Sequence, residues 1–208
     1  MKAFLRKSSF HFLLFLSVFF NLLFFSCRTI PENQANRHFI IPISRNLTDK
    51  GALTAKQLAD FFIKNNADED YDHILEFAQM YIDEAEMENI NSDIAFAQMC
   101  LETGFLKFGG LVQSDFHNYC GLGAIDSENP GEKFETERLG IRAHIQHLHA
   151  YATTEDVQLN NELTDPRYSC PHRTKLARTI DELAGTWAID PEYGKKLEGI
   201  IKRMSVLE

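Results

Sequence analysis

The stretch Ile94–Asn118, reading IAFAQMCLETGFLKFGGLVQSDFHN, constrains the fold more than any other part of this 208-residue chain. Its apolar residues recur at helical spacing and predict a core-facing stripe of Ile94, Ala97, Leu101 and Phe105. Asn91 and Ser92 are candidate helix caps just before it, and Gly104 is a residue type at which helices end. We therefore expect one core helix that stops near Gly104.

Glu102 lies in the last turn of this predicted helix, one turn after Gln98 and next to the apolar stripe. The negative end of the helix dipole and partial burial both disfavour ionisation, and so they raise the pKa of a carboxyl group there. A general acid that works at neutral pH needs such a raised pKa. Glu102 is therefore a candidate general acid, and the alternative is a solvated glutamate at a helix end.

The rest of the chain is also dominated by helical patterns. Further helices are predicted after Thr54 and over residues 71–87, 139–152, 180–188 and 192–204, with Pro191 near the start of the last. The stretch Ala124–Lys133, AIDSENPGEK, predicts turns and leaves room for a small hairpin. Strand signals are nearly absent, so the predicted fold class is mainly α.

The N-terminus has the pattern of an export signal. Three basic residues precede an apolar run over residues 10–25, which is shorter than the roughly 20 residues of a membrane-spanning helix. Ser26-Cys27 at its end resembles a bacterial lipobox, in which the cysteine is lipidated. We predict a signal peptide over 1–26, a tether over 27–52 and a domain over 53–208, held in the cell envelope by a lipid on Cys27. The alternative is an uncleaved membrane anchor.

Charge excludes some ligands. After the signal, 18 Lys and Arg stand against 30 Asp and Glu, which gives a net charge of −12. Such an acidic surface repels nucleic acid and anionic membrane surfaces, so we expect no nucleic-acid partner.

Cysteine and histidine spacing predicts no metal site. Cys100, Cys120 and Cys170 form no CxxC pair, and an odd number of thiols leaves the pairing open. His144 and His147 share a predicted helix without an HExxH motif, so hydrogen bonding is the expected role of these side chains. We expect neither a metal nor another cofactor.

Several motifs occur in a fixed order. They are AQMCLETGF, NYCGLGA, GIRAHIQHLHAYA, DPRY and LAGTWAIDPEYGKKLEGII. Together, over about residues 92–204, they are similar to the glucosaminidase domains of glycoside hydrolase family 73. The resemblance implies a lysozyme-like helical fold and hydrolysis of peptidoglycan glycan strands after N-acetylglucosamine. The preceding helical segment resembles the extension of lipoprotein members.

The resemblance also implies roles for single residues. Glu102 matches the catalytic acid, Asn118 and Gly121 match an N-x-x-G segment that shapes the groove, and Tyr193 matches a tyrosine near the site. Trp187 is a candidate for stacking on a sugar ring, with a plain core position as the alternative.

The second catalytic group stays open. The family often carries it on a longer hairpin, whereas here the shorter loop offers four candidates, Asp126, Glu128, Glu132 and Glu135. Glu128, in the middle of the loop, is our first choice. Alternatively, the 2-acetamido group of the sugar acts as the nucleophile.

Three functions therefore compete. The first is an endo-β-N-acetylglucosaminidase that acts on peptidoglycan, with the membrane as a partner only through the lipid anchor. The alternatives are a catalytically silent peptidoglycan-binding lipoprotein and a lytic transglycosylase, which shares the fold and also needs one glutamate.

Overall fold

A computed structural model describes residues 39–207. The helices are α1 (Ala55–Asn65), α2 (Tyr71–Met87), α3 (Ser92–Thr103), α4 (Glu137–Ala152) and α5 (Tyr193–Met204). Short 3-10 turns cover Ser114–Phe116 and Pro171–Arg173, and strands β1 (Phe39–Ile40) and β2 (Val206–Leu207) pair antiparallel. The predicted mainly α, lysozyme-like class is confirmed. Within residues 39–207, no helix has the length and apolar character needed to cross a membrane.

Helix α3 lies at the centre of the domain. The sequence predicted one core-facing stripe, but α3 is buried on every face from Ser92 to Cys100, because the other four helices all contact it. Its predicted ends are confirmed: the Asn91 side chain accepts hydrogen bonds from the Asp93 and Ile94 amides, and Gly104 adopts the left-handed conformation. The central helix thus delivers its last turn to the edge of the core.

Three of the neighbouring helices begin at capping residues. Thr54 and Gln57 form a capping box at α1, and Asp70 accepts a hydrogen bond from the His73 amide at α2. Helix α4 begins two residues before the predicted Leu139, because Thr136 caps it by accepting from the amide of that leucine.

The helix predicted over Ile180–Ala188 is wrong. This segment consists of turns, and the Gly185 amide donates to the Ala188 carbonyl at 2.7 Å. Gly185 has φ +80°, a conformation that ends a helix and that glycine adopts without strain. The turn brings Trp187 back to the end of α3.

The predicted tether is also wrong for the part that the structure describes. Leu47 is fully buried, its amide donates to the Arg178 carbonyl, and its carbonyl accepts from the Asn91 amide. The folded unit therefore includes the chain from Phe39, because burial of Leu47 and these backbone bonds hold it in place. Cys27 and the predicted signal peptide lie outside the described residues.

The loop after α3 rests directly on α4. A methyl group added at Gly140 would lie 1.7 Å from the His117 carbonyl oxygen, so only glycine permits this approach. The same histidine hydrogen-bonds the Phe134 carbonyl through Nδ1. These contacts fix the loop that forms one wall of the cleft described next.

Candidate active site

Glu102 stands in the last turn of α3, where the chain leaves the helix. Its side chain is open to solvent on one side, while protein surrounds the carboxyl group on the others. The Tyr193 hydroxyl donates to Oε1 at 2.5 Å, and the Trp187 indole donates to the same oxygen at 3.1 Å. One carboxyl oxygen is thus held by two donors from the C-terminal part of the chain.

The pKa of Glu102 is raised. Burial is the larger effect and favours the neutral acid, and the hydrogen bonds from Tyr193 and Trp187 oppose it in part because they favour the carboxylate. A glutamate with a raised pKa keeps its proton closer to neutral pH, which is the property of a general acid.

An open cleft of about 180 Å³ contains Glu102. Its other lining residues are Thr103, Phe108, Gly109, Gly110, Leu111, Val112, Asn118, Gly121 and Ala124. Larger surface cavities of about 490 and 610 Å³ are lined elsewhere, around Leu53 and Arg203, and neither includes Glu102. A shallow cleft between loops suits a strand-like ligand better than a small enclosed one.

Asn118 shapes this cleft from inside the protein. It is buried; its amide nitrogen donates to the carbonyls of Leu122 and Glu132, and its oxygen accepts from the Leu122 amide. Gly121, at φ +68°, makes the turn that this bonding requires. Since both amide hydrogens are used internally, Asn118 is placed to hold the loop, and Gly121 offers bare backbone to the cleft.

The four loop carboxylates differ in exposure and in hydrogen bonding. Asp126 accepts bonds from the Glu128 and Asn129 amides and the Asn129 side chain, which lowers its pKa. Glu128 is exposed in this turn, and Glu135 is exposed just before α4. The remaining candidate, Glu132, is half-buried just after the single bridge that joins Ala124 and Pro130.

Glu132 packs against the loop segment that carries two residues of the cleft lining. A methyl group added at Gly123 would lie 3.1 Å from its Oε1, and Gly123 separates two lining residues, Gly121 and Ala124. Its amide donates to the Leu122 carbonyl at 2.8 Å. The geometry therefore places Glu132 beside the cleft, whereas Glu128, our first choice from sequence, lies on the solvent side of the turn.

Trp187 is not a fully buried core residue, and neighbouring rings hold its side chain in place. Its indole is half-exposed and packs against the rings of His144, His147 and Tyr151, with centroids 5.3 to 6.0 Å apart. These ring contacts orient the indole N–H towards Glu102. Sequence suggested sugar stacking or core packing, and neither interpretation included this hydrogen bond.

A buried hydrogen-bonded chain continues behind Glu102. Gln98 Nε2 lies 2.8 Å from the Tyr193 hydroxyl, Gln98 Oε1 lies 3.0 Å from His144 Nε2, and His144 Nδ1 lies 3.0 Å from the Tyr81 hydroxyl. Gln98 and Tyr81 were not among the site residues predicted from sequence. The one available signal was that Gln98 lies one helical turn before Glu102.

His147 has a hydrogen-bond partner near the site, whereas the cysteines of the described residues form no disulfide with one another. His147 bonds the buried Asp165 at 2.7 Å, which agrees with hydrogen bonding as the role of the α4 histidines. The thiols of Cys100, Cys120 and Cys170 are unpaired, with the first two buried. Among residues 39–207, no group of His, Cys, Asp and Glu is arranged to hold a metal ion.

A lysozyme-like helical domain with one glutamate of raised pKa in an open cleft is an arrangement typical of enzymes that cleave glycan strands. Comparison with known families makes this more specific. The family described as mannosyl-glycoprotein endo-beta-N-acetylglucosaminidase matches residues 78–206, and the chain belongs to this glucosaminidase family.

A relative without an assigned function shares much of the chain. It is an uncharacterized protein of Borreliella burgdorferi, 40% identical over 155 residues, which are 74% of this chain and 74% of that protein. No solved structure matches this sequence.

Proposed function

We propose that this protein is an endo-β-N-acetylglucosaminidase that cleaves peptidoglycan glycan strands during cell-wall remodelling. The observation that carries the proposal is the Glu102 carboxyl group, which has a raised pKa, lines an open cleft and is held at one oxygen by Tyr193 and Trp187. Family membership supports a glycan as the substrate. The glutamate present in the cleft favours an enzyme over a silent binding protein.

The proposed reaction begins with proton transfer from Glu102 to the oxygen of the scissile bond. The bond between that oxygen and the anomeric carbon breaks, and the leaving sugar departs as an alcohol. Either the 2-acetamido oxygen of the same sugar or a water activated by a carboxylate then bonds the anomeric carbon. In the first case, the Glu102 carboxylate takes a proton from the water that opens the cyclic intermediate, which restores the acid. In the second case, the activating carboxylate takes the proton of the water, and proton exchange with solvent restores both groups.

Glu132 is the carboxylate that we propose for the second role. It packs against Gly123, which lies between the lining residues Gly121 and Ala124, and its backbone is bonded to the Asn118–Leu122 segment. Glu128 is exposed in a turn that Asp126 closes. This choice replaces the sequence-based preference for Glu128.

Digestion of purified sacculi, followed by borohydride reduction and mass analysis, tests the bond that is cut. We expect reduced glucosaminitol, because hydrolysis after N-acetylglucosamine leaves that sugar at the new reducing end. Reduced muramitol would instead identify a lysozyme-type muramidase. Non-reducible anhydro ends would identify a lytic transglycosylase, and sacculi bound without cleavage would identify the silent binder.

We also propose that Cys27 carries a lipid that holds the enzyme in the cell envelope. The proposal depends on the apolar run and the Ser26-Cys27 pair. In cells fed a labelled fatty acid, the Cys27→Ala variant should remain an unlabelled, unprocessed precursor, while a Cys170→Ala variant should label like the parent. Normal labelling of the Cys27 variant would exclude lipidation at this position.

A further inference from the structure

We propose that Tyr81, His144 and Gln98 are positioning residues that fix the direction of the hydrogen bond from Tyr193 to Glu102. By doing so they keep Oε1 as an acceptor and leave the catalytic proton on Oε2. The catalytic part of this inference rests on the proposed function, whereas the hydrogen-bond direction does not depend on it.

Tyr81, at the end of the hydrogen-bonded chain farthest from the cleft, sets the direction of the hydrogen bonds. It is fully buried, and among residues 39–207 its hydroxyl has one hydrogen-bond partner, Nδ1 of His144 at 3.0 Å. A buried hydroxyl without an acceptor loses its solvation at a substantial cost, so the hydrogen of Tyr81 is donated to Nδ1. Nδ1 of His144 is therefore an acceptor.

The His144 ring determines the direction of the next hydrogen bond. Burial lowers its pKa to about 3, so the ring is neutral and carries one hydrogen. Because Nδ1 accepts, that hydrogen sits on Nε2, which lies 3.0 Å from Gln98 Oε1. The ring thus donates to the side-chain oxygen of Gln98.

Gln98 in turn determines where the hydroxyl hydrogen of Tyr193 points. With its oxygen accepting from His144, the amide of Gln98 donates to the Tyr193 hydroxyl oxygen at 2.8 Å. The hydrogen of Tyr193 then points at Oε1 of Glu102, 2.5 Å away. Four bonds in one direction polarise one another, which strengthens the last of them.

The location of the Glu102 proton follows from this direction. Oε1 receives hydrogens from Tyr193 and Trp187, so a proton on the carboxyl group belongs on Oε2. Among the described residues, Oε2 has no hydrogen-bond partner, which leaves it for the cleft. In the reversed direction, an Oε1–H would donate to Tyr193, and the proton would face the protein interior.

Neighbouring groups do not disturb this assignment at neutral pH. Burial raises the pKa values of Tyr81, Tyr193 and the Cys120 thiol, so all three stay protonated. The remaining titratable pair beside the Trp187 ring is His147 with Asp165, which bond each other at 2.7 Å.

The direct test is NMR of the full-length protein. Long-range ¹H–¹⁵N correlation of the histidine rings should show His144 as the neutral Nε2–H form at pH 7. The Nδ1–H form would overturn the proposal, because Tyr81 would then be an acceptor and the chain would run the other way. This measurement needs no turnover, so its failure is distinct from failure of the proposed function.

Two variants test the consequence for Glu102. Gln98→Met cuts the chain and Tyr81→Phe removes its first donor. Tyr71→Phe is the control, because it removes a tyrosine hydroxyl from the same helix that donates to Asp60 outside the chain. We expect kcat to fall about tenfold with KM little changed in Gln98→Met, less in Tyr81→Phe, and not in Tyr71→Phe. The pKa of Glu102, followed by ¹³C NMR of labelled carboxyl groups, should rise in Gln98→Met, because a weaker donor favours the carboxylate less.

A purely structural role predicts a different result. If Gln98→Met lowers the melting temperature but leaves kcat and the pKa of Glu102 unchanged, these residues only support the core. If Gln98→Met does not fold, Tyr81→Phe keeps the ring in place and provides the same two measurements. An unchanged His144 tautomer together with an unchanged pKa of Glu102 in that variant would also refute the proposal.

Discussion

The Glu102→Gln variant should lose about 10²–10⁴ of the turnover of the parent enzyme on purified sacculi, because it removes the proton donor. The amide keeps the shape of the side chain. Its oxygen can accept the bonds from Tyr193 and Trp187 that Oε1 accepts in the parent. The measurement is the initial rate of release of soluble glycan fragments, with circular dichroism to show that the fold persists.

The stability of this variant provides a control. Since the folded-state pKa of Glu102 is raised, its ionisation weakens the fold as pH rises above the unfolded-state pKa. An amide does not ionise, so at neutral pH the variant should melt at or above the temperature of the parent. A variant that folds and still digests sacculi at the parent rate would show that Glu102 is not the acid.

The pH dependence has a defined sign. A general acid works only while protonated, so kcat/KM should fall as pH rises through the pKa of Glu102, and burial moves that limb to higher pH than for an exposed glutamate. The limb should be absent from the residual activity of Glu102→Gln.

The second large effect is expected at Glu132. We expect Glu132→Gln to lower turnover by about 10²-fold if this carboxylate activates water or acts as the nucleophile. Glu128→Gln is the matched control, since it makes the same chemical change in the same loop at an exposed position. Both variants should bind sacculi and melt like the parent.

The pattern of the two rates distinguishes the mechanisms. A loss at Glu132 alone supports a second protein carboxylate beside the cleft. If both variants keep substantial activity while Glu102→Gln does not, the acetamido group of the substrate supplies the nucleophile. A loss at Glu128 alone would restore the preference derived from sequence and would show that the turn moves when substrate binds.

Local patterns predicted the features that depend on neighbouring residues. Periodicity predicted the helical fold, and capping residues such as Asn91 and Gly104 predicted both ends of α3. These predictions succeed because a helix satisfies its backbone hydrogen bonds within itself, so short stretches contain enough information. The position of Glu102 in the last turn, and hence its candidacy as an acid, also follows from sequence.

Features that depend on distant residues could not be predicted in this way. Residues 180–188 have helical apolar spacing, yet the turn at Gly185 is favoured because it places Trp187 against the rings of α4 and the carboxyl group of Glu102. Leu47 lies in a segment that resembles a tether, and only the tertiary fold buries it. In both places, packing overrides a weak local preference.

The candidate active site shows the same difference between what local sequence and what tertiary structure determine. The sequence by itself determined that Glu102 is the candidate acid, since a glutamate at the end of a helix beside apolar residues is recognisable locally. Only the tertiary structure decided what surrounds its carboxyl group, because Tyr81, Gln98, His144 and Tyr193 come from four different helices. Their hydrogen bonds span up to 95 residues of sequence, and no local pattern encodes a direction that depends on which atoms meet in the folded core.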